Sequence, residues 1–127
     1  MSLGRWPAEF GGEDQVFDVL PLGIRKRLEA SRGIGVWALY QKLLTRQCSI
    51  DDYREVIRLG LVGGGTDEAE ANKLVKAHFD PAPWETYLGL ALDIVEAAMM
   101  GDDKLKKVKA ELAAQDLAVK APQTQPS

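Results

Sequence analysis

The chain has 127 residues, 46% of them hydrophobic and 28% charged, and its formal net charge at pH 7 is -3. The length fits one domain, and the composition excludes a wholly disordered chain. An acidic chain lacks the clustered Lys and Arg charge that displaces counterions from DNA or RNA, so we expect no nucleic-acid partner. The one cysteine, Cys48, cannot form an internal disulfide, which fits a reducing compartment.

Association with a membrane is not expected. The chain begins without a basic segment followed by an apolar stretch, so the sequence predicts no signal peptide. The longest apolar-rich segment, Tyr87 to Met100, is interrupted by Asp93 and Glu96 and is too short to cross a bilayer. We therefore expect a cytoplasmic protein.

The first twenty residues are predicted to form a β-hairpin. Apolar residues flank the turn-forming segment at residues 11–14, Gly-Gly-Glu-Asp; they are Trp6, Phe10, Val16, Phe17 and Val19. An isolated hairpin is only marginally stable in water, so this one should pack on the helices or pair with another chain.

A first short helix is predicted after the hairpin. Pro21 suits its start, because the first helical turn does not need the N–H group that proline lacks. The apolar face begins with Leu22, Ile24 and Leu28, and the helix ends by Gly33. We interpret the four basic residues of this region as a solvated face rather than a nucleic-acid site; they are Arg25, Lys26, Arg27 and Arg32.

A second helix is predicted after Gly35, with a wide apolar face. Its apolar residues at helical spacing are Val36, Tyr40, Leu43 and Leu44, with Trp37 beside them. Exposed Trp and Tyr side chains are enriched at interfaces, because a rigid ring gives contact area at little entropic cost. Trp37 and Tyr40 are therefore candidates for a partner-binding groove, with a place in the core as the alternative.

The third and fourth helices carry clear start signals. Ser49 is a predicted N-cap, and Asp51 and Asp52 place negative charge at the positive end of the helix dipole. This helix runs to Leu61 and stops at the three glycines of residues 63–65, which we interpret as a flexible connection. Thr66 and the acidic residues after it begin the fourth helix.

The fifth helix is predicted from Trp84 to about Met100, after the break at Asp80-Pro81-Ala82-Pro83. It is the most apolar segment of the chain, so we expect it to be the central helix. Most aromatic residues of a small domain lie in the core, and we assign Trp84 there.

The composition changes at Gly101. From Asp102 onward Leu105, Val108 and Leu112 form a thin amphipathic stripe among lysines, and residues 121–127 lack the apolar residues needed for order. We divide the chain into a helical domain with its hairpin, residues 1–101, and an amphipathic helix with a disordered tail, residues 102–127. The predicted fold is mainly α: a small bundle of about five helices, an N-terminal β-hairpin and a loosely attached C-terminal helix.

No residue pattern predicts catalysis. His78 has no second histidine or cysteine at metal-ligand spacing, and we interpret it as a helix C-terminal residue. Cys48 could be a nucleophile, with its pKa lowered by the nearby helix start, but a small half-buried residue is the simpler interpretation. The glycines before Thr66 lack the lysine of a P-loop. We expect no enzyme activity, no cofactor and no metal ion.

The order of several segments resembles the gene transfer agent family of phage-tail proteins. Residues 33–43 resemble its helix of glycine, apolar, aromatic and leucine positions, and residues 51–65 its acidic-capped helix with a glycine-rich end. Residues 66–75 and the alanine-rich helix of residues 88–101 complete the resemblance, which covers roughly Phe17 to Gly101. The hairpin matches less well, and the lysine-bearing tail lies outside the resemblance.

This resemblance implies a non-enzymatic component of phage or prophage-like tail morphogenesis in a host bacterium. Members are described either as tail assembly chaperones or as tail-tube proteins. A chaperone of this kind would coat the long tape-measure protein until tube subunits polymerise around it. We favour the chaperone, because stacked rings of tube subunits usually need a substantial β-sheet and this chain offers one hairpin.

Two alternatives remain: a structural tail component that self-assembles, and a small helical regulator or enzyme. For the chaperone we expect a groove between the second and fifth helices, edged by Trp37 and Tyr40 and continued by Leu44. Small helical domains with an apolar groove suit amphipathic helical partners. Leu105, Val108 and Leu112 could mask this groove when no partner is present, or reach a neighbouring subunit in a homo-oligomer.

Overall fold

The computed structural model describes residues 2–123, and the side chains of residues 2–116. Within this range two antiparallel strands, β1 (Trp6–Phe10) and β2 (Glu13–Phe17), precede six α-helices. These helices are α1 (Leu22–Arg32), α2 (Val36–Leu44), α3 (Ile50–Gly63), α4 (Glu68–Leu74), α5 (Leu88–Met100) and α6 (Asp102–Gln123). A π-helical segment, Val75–Phe79, continues α4. The predicted fold, mainly α with an N-terminal hairpin, is confirmed.

The hairpin is closed by Gly11 and Gly12 alone. Both glycines have positive φ, 67° and 80°, as the two central residues of a type I′ turn require. Trp6 pairs with Phe17, and Phe10 pairs with Glu13. Phe10 and Phe17 are buried and their rings meet edge to face at 6.1 Å, so the hairpin packs on the helices, the first of the two expected arrangements.

The end of β2 lies directly against the last turns of α3. The Asp18 N–H donates to the Gly60 carbonyl at 2.9 Å. A Cβ atom on Gly63 would lie 1.8 Å from the Asp18 carbonyl oxygen, and one on Gly64 would lie 1.9 Å from that of Val16. We interpreted these glycines as a flexible connection; the structure instead gives Gly63 and Gly64 a packing role, since no side chain fits between strand and helix.

The start of α3 is fixed by a capping box and an ion pair. Ser49 accepts from the Asp52 N–H, and the Asp52 carboxylate accepts from the Ser49 N–H at 2.9 Å. Arg32 of α1 donates to the same carboxylate at 2.8 Å, and Asp52 is buried. Burial alone raises the pKa of Asp52, but the Ser49 N–H and the Arg32 guanidinium outweigh it and hold the pKa below its usual value.

Two helix starts differ from the prediction. Asp67, not Thr66, caps α4, with its side chain accepting from the Ala69 N–H. Helix α5 begins at Leu88, because residues 80–87 form turns around Pro81 and Pro83. Trp84 is 81% exposed, so its assignment to the core is wrong.

The C-terminal helix α6 is attached through its first two turns. Leu105 is buried with Trp6 and Ala97, and the Asp102 N–H donates to the Leu3 carbonyl at 2.7 Å. Beyond these turns the side chains are exposed as far as they are described, through residue 116. The helix extends to Gln123, further than predicted; of the expected disordered end, residues 124–127 lie outside the described residues. The division of the chain at Gly101 stays a prediction.

Replacing Gly63 by alanine should destabilise the protein by about 2 kcal/mol or more, because the new methyl group meets the Asp18 carbonyl. Gly89→Ala is the matched control: a Cβ there meets nothing within 4 Å, and helix propensity predicts a gain of about 0.5–1 kcal/mol. Urea unfolding of both variants measures the difference. Equal stabilities would contradict the close approach of β2 to α3.

Replacing Asp52 by asparagine should cost about 1–3 kcal/mol at neutral pH, because it removes the charge that Arg32 contacts. A lowered pKa stabilises the fold above the unfolded value of about 3.9, and this contribution is lost as the pH falls through the folded value. The exposed Asp51→Asn variant is the control. Urea unfolding across this pH range should show the Asp52→Asn penalty at neutral pH and its disappearance in acid; a constant penalty would contradict the assignment.

Candidate partner-binding surface

Helix α2 buries one face and exposes an apolar ridge on the other. Leu39 and Leu43 are in the core, whereas Trp37 is 65% and Leu44 50% exposed. Residues three and four apart share a helix face, so Trp37, Tyr40 and Leu44 follow one another along the outside of α2. We call these three residues the α2 ridge. The structure thus brings the three predicted α2 residues together on one surface.

Tyr40 also ties α2 to α5. Its hydroxyl donates to Glu96 Oε2 at 2.9 Å, and the residue is half-buried. Burial, then the hydrogen bond and negative charge of Glu96, raise the pKa of the Tyr40 hydroxyl, so it stays protonated and keeps donating. Tyr40 is therefore part of the ridge and also anchors it to α5.

Beside Trp37 lies an apolar cavity of about 200 Å³. Its walls come from α1, α2, α5 and the segment between β2 and α1, and they include Arg25, Leu28, Trp37, Val95 and Met99. We call it the α1–α2–α5 cavity. The sequence placed a groove between α2 and α5; in the structure α1 adds a third wall.

One wall of this cavity carries a basic side chain, that of Arg25. The Arg25 Nε atom is buried and has no hydrogen-bond partner within the part of the chain that the structure describes. Its basic neighbours differ: Arg27 pairs with Glu68, and Arg32 with Asp52. The basic residues of α1 are therefore not one solvated face.

The C-terminal stripe lies away from the cavity. Lys109 of α6 pairs with Asp93 of α5 at 2.7 Å, and Leu105 packs on Ala97. Asp93 and Ala97 lie on the side of α5 opposite Val95 and Met99, which line the cavity. Masking of the groove by α6 is therefore wrong for this structure. Val108 is half-buried, and Leu112 is 58% exposed.

A second exposed aromatic residue was missed from the sequence. Trp84 projects from the turns of residues 80–87, which we call the Trp84 loop. Its backbone carbonyl accepts from the Tyr53 hydroxyl at 2.7 Å, which holds the loop while the indole points outward. Ile50, 39% exposed, lines an open cavity with Trp84. The prolines at 81 and 83 were the available signal, because they delay the start of α5.

Comparison with known families gives one match. Residues 4–101 match the family model described as phage tail tube protein, GTA-gp10. The chain belongs to this family. No match is found among curated proteins or solved structures.

Membership in this phage tail tube protein family supports a role in phage tail structure or morphogenesis. The family is a structural protein family and not an enzymatic one. The matched residues contain the α2 ridge, the α1–α2–α5 cavity and the Trp84 loop. Leu105, Val108 and Leu112 lie beyond the match.

His78, a candidate catalytic residue of this tail protein, packs against the hairpin. The His78 ring lies against Phe10, with 6.0 Å between ring centroids, and borders Gly11 of the hairpin turn. Among the described residues, no group of three or more His, Cys, Asp or Glu side chains comes together to hold a metal ion. No helix in the same range has the length and apolarity to cross a membrane.

Cys48 is half-buried, as the sequence suggested. Burial is the largest cause that raises the pKa of its thiol, the negative charge of Asp52 adds to it, and a backbone hydrogen bond only partly offsets both. The helix start therefore does not produce the lowered pKa of a reactive cysteine.

Alkylation of Cys48 by iodoacetamide should accordingly be slow in the folded protein at neutral pH, because the thiolate is the reactive form. The pH at half-maximal rate should be higher in the folded chain than in the chain unfolded by guanidinium, which serves as the control. Rates measured against pH in both states test this. A lower midpoint in the folded protein would revive Cys48 as a nucleophile.

Proposed function

We propose that this member of the tail tube protein family acts as a tail assembly chaperone that binds helical segments of the tape-measure protein. The observation that carries the proposal is the α2 ridge next to a preformed apolar cavity. Trp37 is 65% exposed and Leu44 is 50% exposed, although burying large apolar side chains away from water is favourable. An unpartnered ridge beside a cavity is a typical docking site for an amphipathic helix.

The geometry suits a helical partner. Trp37 and Leu44 are seven residues apart on α2, about 10 Å along the axis, which is two turns of a second helix. A partner helix lying along α2 can therefore place apolar residues of successive turns against both side chains. Trp37, at the rim of the cavity, has the aromatic character of a central binding residue.

The hairpin favours the chaperone over a tube subunit. Within residues 2–123 the sheet has two strands, β1 and β2. Both strands are short, and their buried residues Phe10 and Phe17 face the protein's own core. Such a hairpin offers little sheet for stacked rings. The proposal needs no catalysis and no cofactor, and it places the protein in the cytoplasm of the host bacterium, where tails assemble.

The direct experiment is co-expression with the large, helix-rich tape-measure candidate encoded in the same gene cluster. A chaperone should co-purify with it, in many copies per client, and keep it soluble. If the candidate stays insoluble while this chain forms ordered assemblies alone, the second candidate function, a self-assembling structural tail component, replaces the first. The family description, a tail tube protein, is the observation that favours this second candidate.

Replacing Trp37 by alanine should weaken binding to the tape-measure protein at least about tenfold, or about 1.4 kcal/mol, because it removes the largest exposed side chain of the ridge. Leu44→Ala should weaken binding less. Leu3→Ala is the matched control, since Leu3 is 67% exposed and lies against the start of α6, away from the residues that line the cavity. Binding is measured by titration of purified proteins.

Thermal unfolding provides the second readout for these variants. Because Trp37 is mostly exposed, its replacement should leave the melting temperature nearly unchanged. A large loss of stability would assign Trp37 to the core instead. Unchanged binding by a folded Trp37→Ala protein would contradict the ridge as the binding surface.

A further inference from the structure

The α1–α2–α5 cavity is matched to a single large side chain. Its volume of about 200 Å³ is below the roughly 300–1,000 Å³ of small-molecule sites. Apart from Arg25 the walls are apolar, with Leu28, Val95 and Met99 among them. Binding energy at protein interfaces concentrates in large side chains that fill such pockets.

Two carboxylates on the helices that form this cavity are engaged in hydrogen bonds with other groups. The carboxylate of Glu29 accepts from the Val36 N–H at 2.9 Å, and that of Glu96 accepts from Tyr40. Both carboxylates are thus already hydrogen-bonded, whereas the Arg25 Nε atom is buried without a partner within the described residues. A buried donor without a partner is unfavourable, and a carboxylate brought by an occupant would offset this cost. The cavity therefore favours a large apolar side chain next to a carboxylate.

The chain itself carries this combination in the Trp84 loop. Trp84, at 81%, is the most exposed large apolar residue of the described part of the chain, and Glu85 follows it directly. Glu85 has one ion pair, with Arg46 at 3.2 Å, and both side chains are more than two-thirds exposed. Exposed ion pairs of this kind contribute little to stability, so Glu85 is available to another cation.

We infer that the Trp84 loop of one copy of this protein docks in the α1–α2–α5 cavity of another copy. The indole of Trp84 fills the cavity, and the carboxylate of Glu85 pairs with the Arg25 guanidinium. Because Tyr53 already holds the loop by its backbone, little order is lost when the indole binds.

The contact joins different molecules and not two parts of one. The loop precedes Leu88 at the beginning of α5, whereas Val95 and Met99 line the cavity near its end. Met99 is eleven positions after Leu88, or about 16 Å along the helix, so Trp84 lies beyond reach of its own cavity. The cavity and the loop are different surfaces of the molecule, so the contact is heterologous. Repeated contacts of this type generate rings or open chains, unless two copies each insert their loop into the other's cavity and close a dimer.

A single contact of this kind is small. A buried tryptophan contributes about 150–250 Å², well below the roughly 1,200–2,000 Å² of a stable protein interface. Self-association is therefore expected to be weak between two copies and to increase with protein concentration. The inference goes beyond the proposed function and does not require it. Trp37 belongs to the α2 ridge and also lines the cavity. A client protein that covers Trp37 is therefore expected to dissociate the assembly.

Sedimentation velocity of the full chain alone, across a dilution series, tests the inference. The average mass of the wild-type protein should increase with concentration. Trp84→Ala and Glu85→Arg should each abolish the increase, and the double variant Arg25→Glu with Glu85→Arg should restore it by reversing the ion pair. Arg46→Ala, which frees Glu85, should strengthen association. Glu111→Arg, the same charge reversal at an exposed position of α6, is the matched control and should behave as wild type.

Thermal unfolding checks that each variant is folded. If the buried carboxylate of Arg25→Glu destabilises α1, the single variant Arg25→Met tests the cavity wall instead, and it should weaken association because the cation is removed. A wild-type protein that is monomeric at every concentration overturns the inference, and so does association that persists in Trp84→Ala. Association lost in Glu85→Arg and not restored in the double variant overturns the ion pair. Failure of the proposed function is distinguishable, because these samples contain no tape-measure protein and the Trp84→Ala variant keeps the α2 ridge for that separate titration.

Discussion

The close approach of β2 to the glycines of α3 is the constraint on which the rest of the structure depends. With Gly63 and Gly64 leaving no side chain in the way, the backbone of residues 16–18 lies directly on the helix, and the Asp18 N–H reaches the Gly60 carbonyl. Phe17 is thereby placed in the core. A hairpin that is marginal alone becomes part of the bundle and covers it.

Helix α5 contacts α6 on one side and lines the α1–α2–α5 cavity on the other. Ala97 and Asp93 meet α6, and Val95 and Met99 face the cavity bordered by α1 and α2. Because these positions are on opposite sides of one helix, α6 leaves the cavity open. The apolar residues left exposed on α2 and the cavity next to them are therefore available for a partner, which gives the proposed chaperone its binding surface.

The sequence predicts those features that rest on local rules. Ser49 is the N-cap of α3 as predicted, and the hairpin turns at Gly11 and Gly12, within the segment predicted to form the turn. It could not predict that Gly63 and Gly64 contact a distant strand, since residues remote along the chain determine that role. Trp37 and Tyr40 were candidate binding residues because of their aromatic side chains, but Arg25 as a wall of the cavity was not predicted, because a basic residue on a surface helix is usually solvated.

Trp84 shows the same limit. The apolar helix that follows Trp84, and the usual place of aromatic residues in the core, favoured a buried position. Pro81 and Pro83 instead delay the helix and leave Trp84 on an exposed turn. The sequence left open whether α6 masks the groove or reaches a neighbouring subunit. The Leu105 stripe is amphipathic, but periodicity does not indicate which side of α5 it covers. Helix positions were thus predictable, and the pairing of their faces was not.

The central claim is that α2 is the surface that receives a helix of the tape-measure protein. Hydrogen–deuterium exchange of the chain, free and co-purified with that protein, tests it most directly, because it reports each segment of the backbone separately. The account predicts slower exchange across residues 36–44 in the complex and unchanged exchange in the hairpin, residues 6–17. Unchanged exchange in residues 36–44 with protection confined to the hairpin would contradict it.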